Sequence, residues 1–179
     1  MSAEAVLAFW FDEIKPAQWW AKSADFDRLV EVRFGALHAA AGRCELYSWR
    51  SSVGGRLAEI IVLDQFPRNI YRDRPASFAT DALALALAQE AVAAHADRTL
   101  DPARRAFLYM PYMHSESPLM HTLAVKLFAA PGMESNFDFE LRHQAIIERF
   151  GRYPHRNEIL GRESTPAEKA FLQTPGSGF

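Results

Sequence analysis

The chain has 179 residues, 49% of them hydrophobic, which is enough for one well-filled core. Its 20 basic and 22 acidic side chains leave a net charge of −2, excluding a broad basic surface for nucleic acid. The single cysteine, Cys44, excludes a disulfide framework and points to a reducing cytoplasm, and no apolar run is long enough to cross a bilayer. The first fifteen residues include Glu4, Asp12 and Glu13 and lack a basic n-region, so no signal peptide is expected.

Helical periodicity dominates from the start. Leu7, Trp10, Phe11 and Ile14 follow i, i+3, i+4, i+7 spacing, and Phe26, Leu29, Val30, Phe34, Leu37 and His38 mark a second helix over 25–41. A third carries Leu57, Ile60, Ile61 and Asp64 on one stripe. It is apolar at Ala58, Val62 and Leu63 as well, so it belongs at the centre of the core. The stretch 82–94 alternates leucines like a strand, but its alanines and its Thr80-Asp81 start favour helix. Asp101-Pro102, Ser117-Pro118 and Thr165-Pro166 each put a capping residue before a proline, opening helices near 102–109, 118–130 and 166–173. Thr165 and Glu168 form a capping box. A helix over 137–150 carries the stripe Phe139, His143, Ile146, Ile147, Phe150, and Gly42, Gly132 and Gly151 sit where helices should stop. The expected fold is all-α, with seven or eight helices in one domain spanning 1–173 and a frayed tail at 174–179.

One motif appears twice: Phe66-Pro67-Arg68-Asn69 and Tyr153-Pro154-His155-Arg156-Asn157. In each, an aromatic–proline step is expected to stop a helix and is followed by a guanidinium and an amide. Around the first corner, Asp64, Gln65, Arg68, Asn69 and Arg72 form one polar group. It is either a buried ion pair that locks the corner or a carboxylate and guanidinium facing a cleft. His114 and Glu116 precede a helix N-terminus, whose dipole favours an anion. His143 lies on an apolar stripe, with Arg149, Arg152, His155, Arg156 and Asn157 crowded after it. Arg142 to Arg162 carries an excess of three positive charges. The expected assignment is therefore a site for a small anionic ligand. Asp64, His114, Glu116 and His143 would move protons, and Gln65, Arg68, Asn69, Arg72, Arg149, Arg152, His155, Arg156 and Asn157 would bind. No metal or cofactor is expected: the histidines lack metal-ligand spacing and the arginines would repel a cation. The alternative is a helical scaffold that holds a peptide or protein in a concave groove.

Several segments together resemble a known family. They are Trp19-Trp20-x-Lys22, Leu63 to Arg72, Ala79-Thr80-Asp81, Phe107 to Pro111, His114-Ser115-Glu116 and Arg149 to Asn157. In these the chain is similar to the mainly bacterial family designated domain of unknown function 924, over nearly its whole length. That resemblance implies a tetratricopeptide-like fold of helix hairpins stacked in a right-handed superhelix. It brings no activity. Where a glutamine is expected after the His-Ser-Glu segment, this chain has His121.

Overall fold

Nine α-helices, joined by short 3-10 turns, make up the regular structure of the computed structural model, which describes residues 1–178. They are α1 (Ala3–Ala8), α2 (Ala24–Gly42), α3 (Val53–Asp64), α4 (Phe66–Ile70), α5 (Asp81–Ala93), α6 (Pro102–Met113), α7 (Pro118–Phe128), α8 (Glu134–Phe150) and α9 (Pro166–Leu172). The all-helical expectation holds. Of the tail expected to fray, Phe179 lies outside the described residues, while the Ser177 hydroxyl donates to the Leu172 carbonyl.

Helix α3 is the axis, as its all-round apolar sequence requires. Leu57, Ala58, Ile60, Ile61, Val62 and Leu63 are all fully buried, and α3 packs against α1, α2, α4, α5 and α6. From α5 onward each helix lies against the next, α5 on α6, α6 on α7 and α7 on α8, whereas α1 to α4 gather round α3. An aromatic cluster joins the two parts: Phe34 and Phe66 have ring centres 4.6 Å apart, and Trp10 meets Phe107 edge-on at 5.7 Å. Trp19 donates its indole N–H to the Trp10 carbonyl at 2.8 Å, while Trp20 is 60% exposed and stacks on Phe107. Gly55 lets α3 start directly under the preceding turn, because a Cβ there would collide with the Trp49 carbonyl. Gly55→Ala should therefore lower stability by about 1–3 kcal/mol, read as a lower denaturation midpoint in urea.

Local chemistry departs from the expected pattern at several points. The first helix widens into a π-turn at Phe9–Glu13, with Ile14 N–H bonded to the Phe9 carbonyl, and the adjacent Phe9 and Trp10 are both buried. Helix α3 ends at Asp64, just before the Phe66-Pro67 step, but the chain does not leave helical conformation. Gln65 keeps helical backbone angles and Pro67 lies in the first turn of α4, where a missing N–H costs nothing. Pro154 likewise opens a 3-10 turn, and the stop of α8 is Gly151, left-handed at φ 68°. Helix α6 runs on through Pro111 to Met113, beyond the expected end at 109. Asp101 and Thr165 cap as expected, but Ser117 makes no capping bond and Thr80 donates its hydroxyl to the Leu63 carbonyl instead. Phe139, placed on the buried stripe of α8 by its spacing, is 49% exposed, with the Arg142 guanidinium over its ring.

Candidate functional site

The end of α3 supplies a carboxylate with no water to solvate it. Asp64 is fully buried and accepts from His114 Nδ1 at 2.8 Å and Gln65 Nε2 at 2.5 Å, with Arg68 Nη1 3.4 Å away. Burial opposes its ionisation, but Arg68 and His114 outweigh that and hold its pKa at about 2. Since Asp64 is ionised, His114 must donate Nδ1–H, which leaves Nε2 as an acceptor. Burial and the nearby Arg68 lower the pKa of His114, although Asp64 pulls the other way, so its ring is neutral near pH 7. Nε2 makes no hydrogen bond among the described residues, and His114 lines a cleft.

Arg68 turns away from that cleft onto other groups. It donates to the Asp64 main-chain carbonyl and to both oxygens of Asp81, each at 3.1 Å. Asp81 opens α5 and takes a second guanidinium: Arg156 Nη1 lies 3.4 Å from its Oδ2. Arg156 is 7% exposed and clamped between two aromatic faces, 4.6 Å from the Phe78 ring centre and 4.6 Å from that of Tyr153. The pair it makes with Asp81 is long, and its Nε is buried without a partner. Nε and Nη2 form one edge of a guanidinium, two parallel donors spaced for a carboxylate or phosphate. Arg43, Arg50, Arg72 and Arg152 each place that edge on the two oxygens of one carboxylate, at 2.5–2.8 Å. Arg156 does not. Burial first, and then Arg68, pull its pKa below the usual guanidinium value.

Arg156 lines a cleft of about 400 Å³. Its polar wall is Asp81, His114, Ser115, Glu116 and Arg156. Phe78, Leu85 and Leu160 are among its apolar lining. Its volume falls within the range of small-molecule sites.

The other residues expected at the site are committed elsewhere. Asn69 and Arg72 both bind Asp27 on α2, so the first corner is tied to α2, not to the cleft. Gln65 braces Asp64 from within the core. Glu116 reaches the cleft but already accepts from Tyr153 N–H and both Nη atoms of Arg162. Its pKa falls despite partial burial, chiefly through Arg162. Asn157 is fully buried, donating to Ser164 Oγ and accepting from Arg162 Nε. Arg152 is paired with Glu168, and Arg149 lies over Phe150 and Phe171 in a separate surface hollow. His143 faces inward as its stripe requires, with Nδ1 2.7 Å from the Phe139 carbonyl, and lies outside the cleft lining, as does His155. Burial drives their pKa values down, to about 3 and about 4.

His121 lies beneath the site, not in it. It is fully buried, with Nδ1 2.7 Å from Glu140 Oε1 and Nε2 2.8 Å from the Ser115 carbonyl. A carbonyl can only accept, so Nε2 carries a proton and the His121–Glu140 contact holds another. Burial raises the pKa of Glu140, although His121 opposes it. Among the described residues no three His, Cys, Asp or Glu side chains converge as a metal-ligand set. The roles of Phe78, Asp81 and Arg162 at the site were not readable in the sequence, since the partners that bring them there lie far along the chain. The Thr80-Asp81 helix start was visible, but not that Asp81 would serve two arginines.

The comparisons agree with this architecture. The chain is similar to the solved protein of unknown function ATU0120 from Agrobacterium tumefaciens, at 37% identity over 96% of each chain and a TM-score of 0.90. No curated protein matches it. No helix among the described residues is long and apolar enough to cross a membrane. A family model described as "Bacterial protein of unknown function (DUF924)" matches residues 6–176, and with nearly the whole chain covered the protein belongs to that family.

Proposed function

We propose that the cleft binds a small organic anion on the Nε/Nη2 edge of Arg156, with His114 Nε2 beside it as a neutral proton acceptor. The observation that carries this reading is a nine-tenths-buried guanidinium whose best donor edge is unfilled, next to a cleft of ligand size. Two neighbours make it more than a structural cation. Asp81 is shared with Arg68 and meets Arg156 through one long contact, which leaves the Nε/Nη2 edge without a carboxylate. The aromatic clamp from Phe78 and Tyr153 fixes the plane of the fork before any ligand arrives, which lowers the ordering cost of binding. A cytoplasmic location, from the lone cysteine, belongs to the same proposal.

A thermal-shift screen of carboxylates and phosphate esters tests it. A ligand at 100 times its dissociation constant adds about 2.7 kcal/mol, or about 5–10 °C in Tm for a chain of this size. Arg156→Met should abolish that response and still fold, because Asp81 keeps Arg68. Arg156→Lys keeps the charge but loses the fork, and should weaken the response strongly. A ligand that stabilises Arg156→Met as much as the parent would contradict the proposal.

A further inference from the structure

The cleft offers acceptors as well as donors, and that constrains what else the ligand carries. This step rests on the anion reading above and narrows it. Each carboxylate oxygen accepts two hydrogen bonds. Asp81 Oδ2 is filled by Arg68 and Arg156, whereas Oδ1 takes only Arg68. Glu116 Oε1 is filled by Tyr153 N–H and Arg162, whereas Oε2 takes only one Arg162 N–H. His114 Nε2 is the third acceptor with capacity left. Three acceptors with spare capacity therefore share the lining with the unfilled guanidinium edge of Arg156 and the Ser115 hydroxyl. The charges agree: Arg68, Arg156 and Arg162 already balance Asp64, Asp81 and Glu116 with His114 neutral. A plain anion would leave the site with an excess negative charge, while a ligand carrying both signs keeps it balanced. Leu85 and Leu160 add an apolar wall.

We propose that the ligand class is an α-amino acid with an apolar side chain, bound as the zwitterion. Its carboxylate takes the Arg156 edge, and its ammonium, with three donors and no acceptor, takes the spare capacity of His114 Nε2, Asp81 and Glu116. Its side chain lies along the leucines. A dianionic phosphate ester fits this lining poorly, because it would face both acidic side chains.

Calorimetric titration of the full chain separates the claims. Leucine and phenylalanine are each compared with the same acid lacking its amino group, isocaproate and hydrocinnamate, alongside inorganic phosphate. The amino acids should bind at least about tenfold more tightly than their des-amino partners, the gain expected of charge-assisted hydrogen bonds, and Arg156→Lys should weaken both. Equal or tighter binding of the des-amino acids overturns the zwitterion while the anion reading stands. Binding of phosphate alone, dependent on Arg156, has the same consequence. If no member of the panel binds, both fall.

Discussion

Asp64→Asn is expected to cost about 3–5 kcal/mol of stability, the loss typical of removing one member of a buried ion pair. Every group that meets this carboxylate is a donor: His114 Nδ1–H, the Gln65 amide and the Arg68 guanidinium. Asparagine keeps one acceptor oxygen and must turn its own NH₂ towards one of those donors. The charge that holds the pair together disappears with it. Arg68 retains Asp81, so the loss should fall short of unfolding the protein. In urea the midpoint should drop with an unchanged slope. The same substitution frees His114 Nδ1 from a fixed partner, so ligand affinity should fall as well. A loss below about 1 kcal/mol would mean that Asp64 is not the anchor of this corner.

Acid should destabilise the protein well above the ordinary carboxylate range. His143 and His155 have native pKa values depressed to about 3 and about 4 by burial, against about 6.5 in an unfolded chain. Well above pH 6.5 both are neutral folded or unfolded, and their environment costs nothing. As the pH falls from there towards 4 the unfolded chain takes up protons that the native one refuses, and stability is lost. With both histidines contributing, the loss approaches about 2.7 kcal/mol per pH unit near pH 5. Glu140, whose pKa burial raises, opposes this with a single group. Asp64 and Glu168, held at about 2, extend the decline at lower pH. Urea midpoints between pH 7.5 and 4.5 should trace this slope, and the double variant His143→Gln/His155→Gln should reduce it to the share that His38 and His114, also lowered by burial, contribute. A parent protein of constant stability across that interval would refute the burial of these rings.

Periodicity made most of the helices legible, because a buried stripe must repeat every 3.6 residues whatever it packs against. The central place of α3 followed from apolar residues on all its sides, and the Thr165–Glu168 capping box from a local pattern that needs no tertiary partner. The Asp64–Arg68 approach was also readable, being four residues apart across a helical corner. The partners that sort the arginines were not. Asp27 serves Asn69 and Arg72 from more than forty residues away, Glu116 serves Arg162 from a similar distance, and Asp81 joins Arg68 to Arg156 across the two halves of the fold. Such pairings depend on where helices meet, which composition and spacing do not record. The echoed Pro-Arg-Asn corners show the consequence. In the first, the amide is spent on α2 and the guanidinium on Asp64 and Asp81. In the second, the amide is spent on the 157–164 loop while the guanidinium keeps its best edge unfilled.

Whether this one edge is the ligand contact can be read directly by arginine-selective ¹⁵N NMR. The Nε–H resonance of Arg156, assigned by its loss in Arg156→Lys, should shift on titration with an apolar amino acid or its des-amino analogue. Those of Arg50, Arg72 and Arg152, already seated on carboxylates, should stay in place. Saturable binding that leaves the Arg156 signal unmoved would contradict the account.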